Sequence, residues 1–345
     1  MRRVVLNQFF SGQKITGQQR YATELSAAIH RLRPVRTIEI PALYRGRRSA
    51  EWLWSVSRVH GLAADEYLLS FTSRAPMWQK RHILTVHDLF VLTNPEWFGK
   101  GYVRTHAPLL RAQLRSCVGA LAVSEPTLEL LDDFLPSATP RALAPNGIAP
   151  IFGAAPEPAL NELHILDRYK LQPKEYILTV GSQDPRKNFS RLVAAYARLP
   201  LDLREKFPLV IVGGSNKTFA SLDRHSQSQV RQIGYVDDAE LAVLYRHAKG
   251  FVLPSLAEGF GLPVVEAAAS LVPLALSDLP VFRWIYGLGA HYFDPLDIND
   301  MCSALEELVG TQEPTQMLKA KRSHVLEKFS WDGSAQSVSD LVDSL

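Results

Sequence analysis

The chain of 345 residues has little of what defines disulfide-rich or zinc-stapled proteins. Its two cysteines, Cys117 and Cys302, form no CxxC and no paired spacing. A disulfide framework and a structural zinc site are excluded, because each needs several cysteines at fixed separations. The scarcity of cysteine is typical of a reducing compartment, so a cytoplasmic location is expected.

Long apolar segments are also missing. The apolar run after Arg2 and Arg3 is interrupted at Asn7 and Gln8, too early for the core of a signal peptide. The most apolar long stretch, residues 262–276, contains a glutamate and two prolines. It cannot cross a bilayer as a helix of about 20 apolar residues. No targeting peptide and no transmembrane helix are expected.

The composition that remains is that of a soluble globular protein, with 46% apolar and 21% charged residues. This balance excludes disorder, collagen-like repeats and coiled coil. A single hydrophobic core rarely grows beyond about 250 to 300 residues. Two domains are therefore expected.

The net charge of +3 is unevenly distributed. Residues 1–168 hold 20 Lys and Arg against 14 Asp and Glu, whereas residues 169–345 hold 18 against 21. Much of the basic excess lies in residues 31–58, where Trp52 and Trp54 are interspersed with seven arginines. Such a segment can bind an anionic membrane surface, or it can be a solvated helix face whose aromatic rings pack inward.

Short apolar runs alternate with amphipathic stretches along the whole chain, the pattern of βα units in parallel sheets. The strands predicted in the first half are Val4–Phe9, Val35–Ile40, Tyr67–Phe71, Ile83–Val86, Ala120–Val123 and Arg141–Ala144. Those of the second half are Tyr176–Val180, Leu209–Val212, Val230–Ile233, Phe251–Leu253 and Leu274–Leu276. Helices are predicted at Gln18–Leu32, Ser190–Leu199, Asp238–Ala248 and Pro263–Ser270.

A linker separates the two halves at residues 144–158, where four prolines and two glycines are expected to break any regular element. The sequence therefore predicts an α/β protein with two doubly wound, Rossmann-like domains, residues 1–158 and 159–330. Two such domains would face a cleft, and ligands of parallel sheets bind at the carboxyl ends of the strands. Motifs that directly follow strands are therefore the candidates for function.

The first such motif, PSLAEGFGLPVVE, follows the strand Phe251–Leu253. Gly259 and Gly261 would let backbone N–H groups approach a ligand, and the helix behind them would present its positive dipole end to a phosphate. Glu258 and Glu266 can accept hydrogen bonds from the paired hydroxyls of a sugar and a ribose. Taken alone, the motif could also be a turn whose glutamate caps the helix.

The second motif, GSQDPRKN, follows the strand Tyr176–Val180. Arg186 and Lys187 lie at a loop-to-helix junction and can neutralise a diphosphate, the arginine through its planar fork and the lysine as a point charge. An isolated Arg-Lys pair is more often a solvated turn. Its placement directly after a strand, like that of the first motif, favours a functional role.

Two weaker signals lie in the first half. His87 ends an apolar strand and precedes Asp88, at a place suited to a group that acts on a reacting centre, although a lone histidine is more often structural. Gly17, in the sequence ITGQQRY after the first strand, permits close approach of a phosphate. One glycine is a weak signal.

Together these motifs resemble the retaining glycosyltransferases of family GT4, which have the GT-B fold. The likeness runs from GQQRY at Gly17 to FSW at Trp331. EGFGLPVVE resembles the family's E-x7-E signature, DPRKN its phosphate-binding loop, and NGI at Asn146 its turn between domains. The resemblance implies that a C-terminal helix, residues 331–345, crosses back to the first domain.

The resemblance also assigns roles to individual residues. The catalytic residues it implies are His87, Arg186, Lys187 and Glu258. The donor-binding residues it implies are Gly17, Val236, Gly259, Phe260, Gly261, Leu262 and Glu266, with Glu266 on the ribose and Val236 beside the nucleobase. Many members carry an arginine where this chain has Ser182, so Arg186 and Lys187 must carry the phosphate charge.

The implied activity is transfer of a hexose, mannose being the first choice, from a nucleotide-diphosphate sugar to a hydroxyl with retention at the anomeric carbon. The first domain would bind a glycan or lipid-linked acceptor of surface-polysaccharide or lipopolysaccharide assembly, and the second would bind the donor. GDP-mannose is the first donor to consider, ahead of dTDP-rhamnose and UDP-hexoses.

Neither a carboxylate nucleophile nor a DxD-like metal site is evident in the sequence, so no metal and no other cofactor are expected. The resemblance implies a front-face displacement in which the departing phosphate accepts the proton of the acceptor. No nucleic-acid partner is expected, and peripheral contact with the inner face of the membrane stays open.

Three other classes of function are alternatives to transfer. A sugar-nucleotide epimerase on the same fold would need further acid and base groups at the sugar. A non-catalytic module that binds a sugar nucleotide or glycan would bind the donor without turnover. A nicotinamide dehydrogenase is disfavoured, because neither first-strand turn carries a GxGxxG fingerprint.

Overall fold

The computed structural model describes residues 2–10, 17–44, 47–57, 59, 61–154, 159–182, 184–213 and 229–345, and only the backbone of residues 48 and 159–161. Its internal contacts divide the chain into two units. Unit 1 comprises Met1–Gly147 and Phe329–Leu345, and unit 2 comprises Ile148–Lys328. The sequence places the domain boundary at residue 158, which lies outside the described residues, whereas the contacts change unit after Gly147.

The described part of the chain contains two six-stranded parallel sheets. In unit 1 the strands are β1 (Arg3–Asn7), β2 (Val35–Ile38), β3 (Glu66–Ser70), β4 (His82–Val86), β5 (Gly119–Ala122) and β6 (Arg141–Leu143). In unit 2 they are β7 (Ile177–Gly181), β8 (Leu209–Gly213), β9 (Val230–Gly234), β10 (Gly250–Leu253), β11 (Leu274–Ser277) and β12 (His291–Phe293). The sheet orders are β2-β1-β3-β4-β5-β6 and β12-β11-β10-β7-β8-β9.

Helices connect the strands in both units. The first group is α1 (Gly17–Leu32), α2 (Arg48–Val56), α3 (Phe90–Thr93), α4 (Lys100–Ser116), α5 (Glu125–Leu130), α6 (Pro150–Gly153) and α7 (Ala159–Arg168). The second group is α8 (Phe189–Tyr196), α9 (Leu201–Lys206), α10 (Asp238–His247), α11 (Leu262–Ala269), α12 (Pro280–Tyr286), α13 (Ile298–Gly310), α14 (Thr315–Lys328) and α15 (Trp331–Ser344). Short 3-10 helices occur at Pro95–Trp97, Leu131–Asp133 and Pro185–Lys187.

The strands form where the sequence has nearly continuous apolar runs, as a parallel sheet covered on both faces requires. Three consecutive side chains of β1, Val4, Val5 and Leu6, are all buried. All eleven predicted strands are present, with ends shifted by at most two residues. Among the strands of the described residues, β12 alone was not predicted, because it has three residues of which only Phe293 is buried.

The linker contains a helix that the sequence analysis did not expect. The prediction that residues 144–158 contain no regular element is wrong at α6. Pro150 lies in the first turn of α6, where its missing N–H costs no helical hydrogen bond. Phe152 anchors the turn, since its ring is 1% exposed and packs edge-on against Tyr245 at 5.9 Å.

The last helix belongs to unit 1, which confirms the prediction that the C-terminal helix returns to the first domain. Helix α15 packs along α1, and the Ser334 hydroxyl donates to the Pro145 carbonyl at 2.7 Å. A side chain at Gly147 could not fit, because its Cβ would lie 2.6 Å from the backbone nitrogen of Trp331. The end of the first segment of unit 1 is therefore held against the start of α15.

Candidate active site

The loop after β7 brings two cations to the carboxyl end of the sheet of unit 2. Asp184 caps the 3-10 helix Pro185–Lys187 by accepting from the Arg186 backbone N–H at 2.9 Å. The same carboxylate accepts from Nε and Nη2 of the Arg186 side chain at 3.0 and 2.6 Å. This paired contact holds the pKa of the Asp184 carboxyl below its usual value. The fork of Arg186 is therefore fixed by a carboxylate two residues earlier.

Lys187 reaches across to the loop that follows β10. Its Nζ lies 2.5 Å from Oε1 of Glu258, and the buried Ser255 hydroxyl donates to the same oxygen at 2.7 Å. Both members of the ion pair are largely shielded, with side-chain exposures of 18% and 13%. The contact joins the two sequence motifs, which lie 71 residues apart.

Backbone contacts brace these two loops against each other. The Leu256 N–H donates to the Arg186 carbonyl at 2.8 Å. The Asn188 side-chain amide donates to the carbonyls of Pro254 and Pro295 at 3.0 and 2.7 Å. Asn188 itself has a left-handed backbone with φ of 57°, a conformation that asparagine tolerates better than most residues. The loops after β7, β10 and β12 are thus connected through one amide.

The glycines of the second motif shape the start of α11. Gly261 has φ of +107°, and a Cβ there would lie 2.7 Å from Cε1 of the buried Phe282. The helix begins at Leu262 with a proline in its first turn, which leaves backbone N–H groups at its N-terminus for an anionic partner. Phe260 is buried, and its ring centroid lies 6.2 Å from that of Trp284. Gly259 follows Glu258 directly in the same loop.

Glu266 lies in α11 and is only 5% exposed. The Tyr245 hydroxyl donates to its Oε2 at 3.4 Å. A buried carboxylate needs hydrogen-bond donors, so its position is restrained from the neighbouring helix α10. Glu258 therefore forms an ion pair, whereas Glu266 is buried between packed helices.

Val236 follows β9 and is buried at 6% exposure. The next residue, Asp237, caps α10 by accepting from the Glu240 N–H at 2.8 Å. The side chain of Tyr235 is 86% exposed. The loop after the edge strand β9 thus has a fixed backbone with one protruding ring.

His87 lies in unit 1, at the carboxyl end of β4. Its Nε2 is 2.8 Å from the Phe71 carbonyl oxygen, and burial lowers its pKa to about 4. The ring is therefore neutral at pH 7. Asp88 accepts from the Phe90 N–H at 3.1 Å, at the point where α3 begins.

Gly17 is the first residue of α1. The preceding residues Ile15 and Thr16 lie outside the described residues, so the proposed approach of a phosphate to Gly17 stays a prediction. Within the motif, the side chain that reaches the interior is Tyr21, which is 0% exposed and contacts His87. Sequence reasoning assigned no role to Tyr21, and the only signal was its place on the apolar face of α1.

Several arginines of residues 31–58 form ion pairs with carboxylates outside this segment, which itself contains few carboxylates. Arg31 pairs with Asp332 at 2.6 Å, Arg33 with Asp343 at 3.2 Å and Arg36 with Glu66 at 2.8 Å. Arg33 is buried. These partners are distant in sequence, so a local count of charge could not include them.

The two tryptophans of this segment are both partly buried. Trp54 packs edge-on against Phe9 at 4.6 Å, so the inward-packing interpretation holds for that ring. Arg45 and Arg58 lie outside the described residues, and of Arg48 only the backbone is described. The exposed apolar side chain of α2 is Leu53, at 58%.

The described residues contain neither a candidate metal site nor a candidate membrane-spanning helix. No group of three or more His, Cys, Asp or Glu side chains in that part of the chain could hold a metal ion. None of the helices described is both long and apolar enough to cross a membrane.

Comparison with known proteins gives consistent matches. Residues 166–322 match the family model of glycosyl transferases group 1. O-antigen chain mannosyltransferase B of Escherichia coli is 26% identical over 92% of this chain and 93% of its own length. The serotype-specific mannosyltransferase WbdA of Escherichia coli is 27% identical over 80% of this chain, which corresponds to only 35% of that longer protein.

Solved structures show the same fold. WaaG, a glycosyltransferase involved in lipopolysaccharide biosynthesis, superimposes with a TM-score of 0.75 at 16% identity, over 98% of this chain and 99% of WaaG. HepE from Anabaena, solved with UDP, gives 0.70 at 15% identity over 100% of both chains. Residues 166–322 thus match the glycosyl transferases group 1 family, and the chain has the two-sheet α/β fold of the GT-B glycosyltransferases.

Proposed function

We propose that this protein is a retaining glycosyltransferase. It moves a hexose, mannose in the first instance, from a nucleotide-diphosphate sugar to a hydroxyl of a glycan or lipid-linked acceptor in surface-polysaccharide assembly. The observation that carries the proposal is the meeting of Arg186, Lys187 and Glu258 at the carboxyl ends of β7 and β10. Ligands of parallel sheets bind at this edge.

The cations are suited to a diphosphate. Lys187 and Arg186 are held by carboxylates in adjacent loops, so their charges are in place before a ligand arrives and need little reorganisation. A diphosphate would add a second acceptor for Lys187 beside Glu258. The N-terminus of α11 would supply backbone N–H donors to the same group.

The remaining parts of the donor have candidate partners in the same unit. Glu266 would accept hydrogen bonds from the ribose hydroxyls, and the loop at Val236 would lie beside the nucleobase. Glu258 would accept from a hydroxyl of the sugar, while its Oε1 stays bound to Ser255 and Lys187. The backbone of residues 259–262 would contact the sugar and the diphosphate.

The proposed chemical step is one displacement on the face of the sugar from which the phosphate departs. The bond between the anomeric carbon and the β-phosphate oxygen breaks, and a bond from the acceptor oxygen to the same carbon forms. The acceptor proton passes to the departing phosphate, so charge and atoms balance. Arg186, Lys187 and the α11 N-terminus stabilise the growing negative charge, and loss of one such donor typically costs on the order of a hundredfold in rate.

The reaction needs no metal in this proposal, because fixed cations perform the charge neutralisation that a divalent ion performs in other transferases. His87 contributes as a neutral ring. Since its pKa is about 4, it is a hydrogen-bond partner for the sugar and not a proton donor at neutral pH.

The donor base and the sugar are the finer part of the proposal. Two of the relatives are named mannosyltransferases, which favours GDP-mannose. HepE was solved with UDP, so a uridine donor is the second candidate. A cytoplasmic enzyme that extends lipid-linked glycans would also meet the inner face of the membrane, and unit 1 offers the exposed side chains Leu53 and Trp78 for that contact.

Ligand-induced stabilisation tests the donor site directly. A ligand at about 100 times its Kd adds roughly 2.7 kcal/mol of stability, so a melting-temperature screen of GDP, UDP, dTDP and the matching monophosphates identifies the base. Lys187→Met should weaken binding of the preferred diphosphate about tenfold or more and leave the monophosphate nearly unchanged.

Lys249→Met is the matched control, because Lys249 precedes β10 at the opposite end of the sheet. No stabilisation by any nucleoside diphosphate would refute the donor site. Binding of a nucleotide sugar without turnover would instead favour the sugar-nucleotide binding module.

A further inference from the structure

The ring of His87 is constrained on two sides within unit 1. Its Nε2 lies 2.8 Å from the Phe71 carbonyl oxygen. The Tyr21 ring meets it edge-on, with centroids 4.9 Å apart and planes at 81°. Both Phe71 and Tyr21 are fully buried, at 1% and 0% exposure. The orientation of the imidazole is thus fixed by a hydrogen bond and by a perpendicular aromatic contact.

The hydrogen bond determines the tautomer. A carbonyl oxygen can only accept, so Nε2 must carry the proton and Nδ1 must carry the lone pair. A neutral ring in this tautomer presents an acceptor at Nδ1. Such an acceptor can receive a hydrogen bond from a hydroxyl group.

Tyr21 is itself held from a distant part of the chain. Its hydroxyl donates to the Ala144 carbonyl at 2.8 Å, across 123 residues of sequence. Burial raises the pKa of its phenol, so the hydroxyl stays protonated and remains a donor. The Trp331 ring packs against the same tyrosine at 5.8 Å. Tyr21 is therefore anchored at its hydroxyl and along its ring.

We propose that Tyr21 is the positioning residue for His87, holding the imidazole so that Nδ1 accepts a hydrogen bond from a hydroxyl of the transferred sugar. The inference rests on the proposed transferase function. Through its tyrosine, the GQQRY motif orients the His87 side chain. This role is in addition to the phosphate contact predicted for its glycine. The Ala144 contact and Trp331 keep the tyrosine edge against His87.

The test combines imidazole NMR with kinetics. In protein labelled with ¹⁵N-histidine, the His87 signals are assigned by their loss in His87→Gln. The wild-type spectrum should show protonated Nε2 and unprotonated Nδ1 at pH 7, with a nuclear Overhauser contact between the His87 and Tyr21 ring protons.

Variants at Tyr21 separate positioning from bulk packing. Tyr21→Leu removes the ring edge, so the two ¹⁵N shifts should move toward averaged values and kcat should fall about tenfold to a hundredfold. The Kd for the nucleoside diphosphate should stay within about twofold, because that site lies in unit 2. Tyr21→Phe keeps the ring and should restore the wild-type tautomer and most of kcat.

A matched control is Tyr176→Phe in unit 2. Tyr176 is also 0% exposed and donates its hydroxyl to one backbone carbonyl, that of Leu244, at 2.6 Å. It should change stability without changing the His87 signals.

Three results decide the matter. Unchanged His87 shifts and unchanged kcat in folded Tyr21→Leu would overturn the proposal. A wild-type His87 with its proton on Nδ1, or with no Overhauser contact to Tyr21, would overturn it even if Tyr21→Leu does not fold. If the His87 signals shift in Tyr21→Leu but the wild-type protein transfers no sugar, the positioning role of Tyr21 is supported and the proposed function is refuted.

Discussion

At the scale of single residues, the two glutamates of the E-x7-E pattern have different surroundings. Oε1 of Glu258 is shared by Lys187 and Ser255, whereas Glu266 is enclosed in helix packing beside Tyr245. The first carboxylate is set among groups that can exchange partners when an anion binds. The second is a fixed acceptor, and a fixed acceptor is what recognition of a ribose requires.

Replacement of Glu266 tests the ribose assignment. Glu266→Gln keeps the shape but removes the charge, so hydrogen bonds worth about 1.5 to 3 kcal/mol are weakened and the Kd for the nucleoside diphosphate should rise about tenfold to a hundredfold. Isothermal titration calorimetry measures the change. Glu327→Gln, at an exposed position in the same unit, is the control and should have no effect. An unaltered Kd in folded Glu266→Gln removes this residue from the site.

His82 gives unit 1 a dependence of stability on pH. The ring is 0% exposed, its Nε2 lies 2.9 Å from the Ser70 hydroxyl oxygen, and burial lowers its pKa to about 3. In the unfolded chain its pKa is about 6.5, so below that pH the unfolded state binds a proton that the folded state does not. Stability is therefore lost as pH falls through about 6.5, by about 2 kcal/mol between pH 7 and pH 5.

Urea unfolding at pH 7 and pH 5 measures this loss. Between pH 7 and pH 5, the free energy of unfolding of His82→Gln should fall by about 2 kcal/mol less than that of the wild type. The contribution of His87 to this pH dependence should remain in both proteins. His324→Gln, at an exposed position, should behave as the wild type. Equal pH dependence in His82→Gln and the wild type would show that His82 is protonated in the folded state.

At the scale of elements, the start of α11 depends on one backbone conformation. Gly261→Ala would place a Cβ 2.7 Å from a Phe282 ring that is 0% exposed and cannot move aside, at φ of +107°. We expect a loss of stability of about 1 to 3 kcal/mol and weaker diphosphate binding, because the N-terminal N–H groups would shift.

Thermal unfolding and nucleotide titration check both effects of Gly261→Ala. Gly310→Ala is the control: it ends α13, and an added Cβ meets no described atom within 4 Å. A Gly261→Ala protein with wild-type melting temperature and wild-type affinity would contradict the role given to this helix start.

The elements were predictable from the sequence because their apolar runs are local signals. Strand β12 was not, since a three-residue strand with one buried side chain gives almost no periodic pattern. The turn of α6 was not predicted either, since its Phe152 is anchored by Tyr245, almost a hundred residues later. At the site, Lys187 and Glu258 were recognisable from their motifs. Their ion pair and the contact of Tyr21 with His87 depend on the tertiary fold.

At the scale of the whole molecule, the net charge of +3 does not by itself predict membrane binding. Arg31, Arg33 and Arg36 are paired with carboxylates within unit 1. The side chains better placed for a bilayer are Leu53, 58% exposed on α2, and Trp78, 66% exposed. These two belong to neighbouring segments, because the Met77 N–H donates to the Val56 carbonyl at 2.8 Å.

Vesicle sedimentation tests this contact. The protein should sediment with anionic vesicles at low salt and be released as the Debye length falls from about 30 Å at 0.01 M to about 10 Å at 0.1 M. Leu53→Glu with Trp78→Glu should abolish binding, and replacement of Arg45, Arg47 and Arg48 by Gln should weaken it, with transfer to a soluble acceptor unchanged. Leu201→Glu in unit 2, at 46% exposure, is the control. Equal sedimentation with neutral and anionic vesicles, or none with either, would exclude an electrostatic contact.

The anomeric configuration of the product, with the reaction run in EDTA, tests retaining transfer without a metal. The full chain is incubated with GDP-mannose, which is α-linked, and a lipid-linked glycan primer in the presence of EDTA, and the product is examined by NMR. Retaining transfer without a metal predicts an α-mannosyl product, formed at the same rate with EDTA as with added magnesium. A β-linked product, or a reaction that stops with EDTA and resumes with magnesium or manganese, would contradict it.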